Sequence, residues 1–278
     1  IVSSSKVSSI VCFAVSSLIV GILIDIAYII ILMGIEKNVK NSNDIETNFS
    51  LKVLGLIPLR KQNKKTELIM SEAEKTTTNT AFKKLRSNIQ FLNVNNSNKN
   101  IILITNCSGK EGKSYISANL AISYANVGKK VILVDCDLTT GNQAEIFNIP
   151  NNMGLSNFLS NLGETGVEIN ERINSFIKET NIKNLNIITS GTVPPNSSEL
   201  LSSEKFSQML KDLSVFYDVI ILDGTVILNK VDSLILSRYA TSSVIVSIAK
   251  KTKKDDLWKS KRDIQNVGGR IIGIILNK

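Results

Sequence analysis

The stretch Ile101-Ile-Leu-Ile-Thr-Asn-Cys-Ser-Gly-Lys-Glu-Gly-Lys-Ser-Tyr115 constrains the fold of this chain more than any other. It opens as a branched apolar run with the length of a buried strand, and Ile116, Leu120 and Tyr124 beyond it recur at helical spacing. The reading is strand, glycine-containing loop, helix. Such a loop turns backbone N–H groups toward a phosphate chain at the positive end of the following helix, with Lys113 reaching the terminal phosphates and Ser114 holding Mg²⁺. Ser108, Gly109, Lys110, Glu111, Gly112, Lys113, Ser114 and Tyr115 are therefore the expected cradle of a nucleoside triphosphate. The strict pattern G-x-x-x-x-G-K-[ST] would put its first glycine where Cys107 stands, so the loop alone leaves an incidental Gly-Lys-Ser open.

Two later apolar runs deliver carboxylates. Val131-Ile-Leu-Val-Asp135-Cys136-Asp137 carries two acids, which project to the same side if the chain stays extended. One is suited to act as base toward an incoming hydroxyl, the other to sit near Mg²⁺. Val219-Ile-Ile-Leu-Asp223 brings a third acid, placed to hold Mg²⁺ directly or through water. Each acid taken singly also fits a turn or capping role. Phosphoryl transfer asks the protein for little beyond positioning, cations and a carboxylate that orients the attacking oxygen. The chain contains no histidine, which excludes Ser-His and Cys-His nucleophiles and His-held metals. Cys12, Cys107 and Cys136 are too scattered for a disulfide framework and lack the C-x-x-C spacing of zinc sites.

Apolar runs at Ile101–Thr105, Val131–Asp135, Asn186–Thr189, Val219–Asp223, Ser243–Ile248 and Ile271–Asn277 alternate with helix-length segments such as Lys113–Val127 and Lys205–Leu213. The alternation predicts an α/β fold of the P-loop NTPase kind, a mostly parallel sheet with helices on both faces and ligands at the strands' carboxyl ends. One transmembrane helix is expected ahead of it. Between Ile10 and Ile35 the only charge is Asp25, and the run exceeds the ~20 residues that cross a bilayer. Asp25 at the centre of an isolated helix would cost about 2.5–3.5 kcal/mol, so a helical partner is expected beside it. No basic start, short apolar run and cleavage site mark a signal peptide. The chain opens with Ile, and an upstream segment is expected.

Lys37, Lys40, Lys52, Arg60, Lys61, Lys64 and Lys65 follow the apolar run while only Lys6 precedes it, which orients the C-terminal bulk toward the cytoplasm. The net charge of +9 fits anionic lipid as a partner; no basic run interleaved with aromatics suggests nucleic acid. The expected division is 1–36 transmembrane helix, 37–78 juxtamembrane segment with a mobile linker over 60–78, and 79–278 cytoplasmic P-loop domain. At its start a helix over Asn79–Phe91 buries Phe82, Leu85 and Ile89, leaving Lys83 and Arg86 beside that face, either solvated or meeting acids on a neighbouring molecule.

In this order, the apolar helix, Val53-Leu-Gly-Leu-Ile-Pro58, Phe82-Lys-Lys-Leu-Arg-Ser-Asn-Ile-Gln-Phe91, the Gly-Lys-Ser loop, V-D-x-D, Gly191-Thr-Val-Pro-Pro-Asn-Ser-Ser-Glu-Leu-Leu201, I-L-D and Gly273-Ile-Ile-Leu-Asn277 resemble the bacterial tyrosine kinases of capsule and exopolysaccharide synthesis. The front part resembles the last membrane helix of the polysaccharide co-polymerase fused to the kinase. The resemblance implies ATP-dependent autophosphorylation on tyrosine at the bacterial plasma membrane, in a ring of like subunits. Polysaccharide polymerisation and export proteins, and a cognate phosphatase, are the implied partners. By position it implies Lys113 on the β- and γ-phosphates, Ser114 and Asp137 on Mg²⁺, Asp135 as base, Asp223 as direct or indirect metal ligand, and Asn277 near the nucleotide base.

Departures accompany the likeness. Thr139 stands where Arg or Lys commonly follows the two-Asp motif, Val226 where a proline is usual, and Lys110 where the loop usually has glycine. The oligomerisation helix Glu-x-x-Arg-x-x-Arg becomes Thr80-x-x-Lys83-x-x-Arg86, and the five tyrosines, Tyr28, Tyr115, Tyr124, Tyr217 and Tyr239, are not clustered. A kinase, a non-catalytic ATP-binding adaptor of the polysaccharide machinery, and a partitioning-type ATPase share these core motifs; the apolar helix and P-P-N-x-x-E-L-L oppose the last.

Overall fold

The computed structural model describes residues 2–58, 77–93, 100–160 and 173–278. The linker expected over 60–78 lies outside them as far as residue 76; Thr77 and Thr78 already belong to a helix. The strands are β1 (Val53–Ile57), β2 (Asn100–Asn106), β3 (Val131–Asp135), β4 (Lys178–Glu179), β5 (Leu185–Ile188), β6 (Val219–Val226), β7 (Ser242–Ile248) and β8 (Ile271–Asn277). They form one eight-stranded sheet in the order β1-β8-β7-β2-β6-β3-β5-β4. Every pairing is parallel except β4 with β5.

The helices are α1 (Val2–Glu36), α2 (Ser42–Phe49), α3 (Thr77–Asn93), α4 (Lys113–Ala125), α5 (Asn142–Phe147), α6 (Leu155–Ser160), α7 (Ser197–Ser202), α8 (Glu204–Phe216), α9 (Asp232–Tyr239) and α10 (Lys254–Asn266). Parallel strands need both faces covered, so β2, β3, β6 and β7 read as continuous branched apolar runs. Phe82, Leu85, Ile116 and Leu120 of α3 and α4 pack on one face; Phe158, Leu201, Phe206, Met209 and Leu236 of α6 to α9 pack on the other.

Strand register places the acids. Asp135 of β3 pairs with Asp223 of β6, and Asp223 with Ile104 of β2, two residues before β2 ends at Asn106 and gives way to the phosphate loop. Two carboxylates and the loop therefore meet at one carboxyl edge before any side-chain contact is considered.

The folded unit reaches back further than the expected start at Asn79. β1 is an edge strand on β8, and the Asn88 amide covers its outer side by donating to the Leu54 carbonyl at 2.8 Å. The side chain of Asn41 caps α2 by accepting the Asp44 N–H at 2.9 Å, and α2 buries Ile45 and Phe49. Further upstream, the Val39 N–H donates to the Thr252 carbonyl at 2.9 Å and the Lys254 N–H to the Lys37 carbonyl at 2.8 Å. The segment had looked like a juxtamembrane stretch because α2 offers only two apolar anchors and the partner of β1 lies at the far end of the chain.

In α1 the stretch Phe13–Ile31, of mean hydropathy 2.5 and wholly unburied, is long and apolar enough to cross a membrane. On α3, Arg86 donates to the Ser123 carbonyl at 2.6 Å and the Ser123 hydroxyl at 3.2 Å. It is thus engaged within its own chain, and of the two basic residues only Lys83 stands exposed.

Phe49 is fully buried, 5.3 Å from the Trp258 ring. Phe49→Ala should lower stability by about 3 kcal/mol in urea denaturation. A change near zero would mean that residues 38–57 are not part of the folded unit.

Candidate nucleotide site

The loop between β2 and α4 bends through left-handed backbone at Gly109 (φ 96°), Lys110 (φ 57°) and Gly112 (φ 85°). Gly112 has a steric reason as well, since a Cβ there would lie 2.8 Å from the Asn277 amide nitrogen. Lys110 pays the usual penalty of about 1 kcal/mol for an L residue in this region, which is the physical reason glycine suits the position.

Glu111 faces inward rather than toward a ligand. Its carboxylate accepts the N–H groups of Cys107 at 3.1 Å and Ser108 at 3.3 Å, and the Thr252 hydroxyl. The Asn277 amide donates to the Glu111 carbonyl at 3.1 Å. Both residues hold the loop's shape. α4 then starts at Lys113, with Gly112 as an N-cap that supplies no side-chain hydrogen bond, so the helix's first N–H groups point toward the loop's concave side uncapped.

Lys113 is buried, its Nζ 2.9 Å from Asp223 Oδ1 and 3.3 Å from the Ser114 hydroxyl. Asp223 also accepts the Ser117 hydroxyl at 3.0 Å and the Gln143 amide at 2.7 Å. That amide reaches the Ser114 carbonyl at 2.9 Å as well, tying α5 to α4. Asp135 lies behind this layer, fully buried, its two oxygens accepting the backbone N–H groups of Gln143 at 3.0 Å and Asp137 at 3.2 Å. Asp137 accepts the Thr139 hydroxyl at 2.8 Å and the Thr140 N–H at 3.2 Å, with Lys230 Nζ 3.6 Å away.

These environments push the titrating groups apart. Burial, then the nearby Asp223, drives the Asp135 carboxyl well up, with Lys113 opposing. Burial also acts on Asp137, but Lys113, Thr140, Thr139 and Lys230 together outweigh it and hold that carboxyl low. Burial pulls Lys113 down, and Asp223 followed by Asp137 more than reverses it. Glu111 is raised, chiefly by burial.

A cleft of about 700 Å³ opens in front of the loop. Gly109, Lys110, Gly112, Lys113, Ser114 and Tyr115 line one side; Asp137, Thr140, Asn142 and Glu145 face them, with Asn229 and Lys230 completing the rim. Of the residues expected from sequence, Ser108, Asp135, Asp223 and Asn277 do not line it. The expectation that Asp135 and Asp137 face a ligand together is corrected: β3 ends at Asp135, and the turn after it carries Asp137 alone into the cleft. Sequence reasoning missed Gln143, Ser117 and Lys230. Ser117 lies one turn beyond Lys113 on α4, a signal that was available; the others arrive from tertiary structure.

The residues suit a metal-bound polyphosphate. Asn106 lines the cleft, and its Oδ1 is a buried acceptor with no protein donor. Among the described residues no three His, Cys, Asp or Glu side chains group to hold a metal by themselves. A hard cation bound through one carboxylate, a hydroxyl and the ligand's own phosphates, as Mg²⁺ commonly is, matches that donor set.

A family model described as an AAA domain matches residues 99–256. The putative tyrosine-protein kinase CapB of Staphylococcus aureus is 36% identical over 219 residues, covering 79% of this chain and 92% of that one. The chain belongs to the bacterial tyrosine kinases. Among solved structures, the chimerical protein CapA2B2 is similar with a TM-score of 0.75 and 32% identity, over 85% of this chain and 98% of that one. The kinase domain of the Escherichia coli tyrosine kinase ETK has a TM-score of 0.74 and 25% identity, over 85% and 94% of the two chains. Within this kinase fold the site carries the departures noted in the sequence. Left-handed Lys110 replaces a glycine, and Thr139, in place of a cation, receives a hydrogen bond from Lys230.

A carboxyl whose folded pKa is raised binds more protons in the native than in the unfolded state, so its contribution to stability is lost as pH rises through the window above its ordinary value. For Glu111 that value is 4.5. The melting temperature of the nucleotide-free kinase should therefore fall as pH rises above that point, and Glu111→Gln, the neutral isostere, should flatten part of the slope. An unchanged slope in that variant would show that Glu111 does not titrate there.

Proposed function

We propose that this chain is a membrane-anchored kinase that transfers the terminal phosphoryl group of ATP to protein tyrosine, in the service of capsular or exopolysaccharide polymerisation and export. The observation that carries the reading is the meeting of Lys113, Ser114 and Asp137 at one cleft, with Asp223 fixing Lys113 from behind. Lys113 and the N–H groups of the loop and α4 bind and orient the phosphates, and the buried floor keeps water from the leaving group's side. Ser114 and Asp137 would hold Mg²⁺, which when bound would supply charge neutralisation at the phosphates.

The acids divide the work. Asp137 is the carboxylate in contact with the ligand side. Asp135 positions Asp137 and Gln143 through its two accepted hydrogen bonds, and its full burial separates it from the cleft in which the base role expected from sequence would act. The attacking hydroxyl comes from elsewhere than the folded tyrosines. Tyr124 is buried, Tyr115 and Tyr239 are half-buried with their rings against Phe82 and Phe206, and Tyr217 is half-buried with its hydroxyl bound to Asn186. A protein tyrosine presented to the cleft from outside these packed positions is the substrate class.

The apolar stretch of α1 and the lysines after it support a kinase on the cytoplasmic side of the plasma membrane, against anionic lipid. Its own copies, the polymerisation and export proteins and a cognate phosphatase are the partners of this reading. With Arg86 held by Ser123, a ring contact through α3 falls to Lys83.

The test is labelled ATP, a tyrosine-containing acceptor peptide and the full chain in membranes, followed by phosphoamino-acid analysis. Phosphotyrosine should form and fall at least about a hundredfold in Lys113→Met, given a charged hydrogen-bonding group lost from a phosphoryl-transfer site. Asp137→Asn should lose Mg²⁺-dependent transfer to a similar degree. ATP binding with no transfer in the unmodified chain would instead identify an adaptor.

A further inference from the structure

The cations of the cleft are not equally committed. Lys113 enters from the loop side and already pairs with Asp223 at 2.9 Å, in a buried layer that also holds Ser117 and Gln143. Lys110 rides on the loop itself. Lys230, in the turn between β6 and α9, comes from the opposite side. It hydrogen-bonds the Thr139 hydroxyl and stands 3.6 Å from Asp137 Oδ1, with its side chain 33% exposed. Among the described residues lining the cleft it is the one cation on the wall that carries Asp137.

Lys230 is held loosely there. At 3.6 Å the Asp137 contact is beyond hydrogen-bond reach, and its other partner is a neutral hydroxyl. A divalent cation taken up by Asp137 would repel the Lys230 ammonium from that carboxylate, and the flexible four-carbon stem lets the ammonium find a new anion without moving the backbone. In a loop of this type the N–H groups cradle the phosphates nearest the nucleoside, and the terminal phosphate extends beyond them. The wall facing the loop, where Lys230 waits, is the wall the terminal phosphate approaches.

We infer that Lys230 is a specificity-determining residue which leaves Asp137 and Thr139 to pair with the terminal phosphate of a bound nucleoside triphosphate, so that the site distinguishes tri- from diphosphate. The inference rests on the nucleotide reading of this cleft. Lys230 sits on a turn with one third of its side chain exposed, and its partners there are Thr139 and Asp137 at the cleft's rim, so its replacement leaves the core untouched.

Isothermal titration of the full chain in nanodiscs, with Mg²⁺ present, against ADP and an imido-linked ATP analogue tests it. Lys230→Met should weaken analogue binding about tenfold or more, the size expected for a lost hydrogen bond between charged groups, while ADP affinity changes less than about threefold. Lys230→Arg should restore most of the difference. Equal losses for both nucleotides, which a merely structural role would produce, or no loss for either, would overturn the inference while leaving the site a nucleotide site. Absence of binding of both nucleotides to the unsubstituted chain would overturn the nucleotide reading itself, and this inference with it.

Discussion

The ion pair between Lys113 and Asp223 is the contact on which the rest of the site depends. A buried ammonium and a buried carboxylate are tolerable only together, and removing one partner from such a pair commonly costs about 3–5 kcal/mol because the other is left uncompensated. Here the carboxylate does more than neutralise. Its two oxygens collect Lys113 and Ser117 from α4 and Gln143 from α5, while its own backbone belongs to β6. One side chain thereby fixes the distance between a sheet edge and two helices, and with it the width of the cleft in front of them. The neighbouring Asp135 is brought alongside Asp223, behind that layer, by strand register alone.

A second tier of contacts sets the loop. Glu111 and Asn277 belong to opposite ends of the catalytic half of the chain, yet both act on the same few peptide groups, one through a carboxylate and the other through an amide. Both side chains are buried against the loop. That explains how a loop lacking one fixed glycine and carrying a lysine in left-handed backbone still adopts a phosphate-binding curve: its geometry is imposed from beneath by hydrogen bonds.

Much of this was legible in the sequence, and the illegible part has a common cause. The strands of the central sheet were readable because each is rich in Ile, Val and Leu: β3 and β8 fall where the apolar runs do, and β2 and β7 differ by a residue or so at their ends. Lys113, Ser114, Asp137 and Asp223 were readable because motif spacing reflects local strand-loop-helix geometry. Gln143 and Lys230 were not, since nothing in their own neighbourhoods signals a site; each is brought there by the path of a turn. β1 and α2 escaped for the converse reason, being short segments whose stability comes from β8 and α10 rather than from their own pattern. Asp135 was placed correctly on its strand, but the strand ends there, two residues before Asp137, so the two acids do not share an extended run.

The attachment of Val39 to the turn after β7 has a geometric corollary. That turn lies on the same rim of the sheet as the phosphate loop, and its Thr252 touches both the incoming strand of chain and Glu111. The polypeptide arriving from α1 therefore shadows the β7–β8 half of the rim. A visiting segment that approached along that flank would meet the tether's own backbone rather than a bare sheet edge.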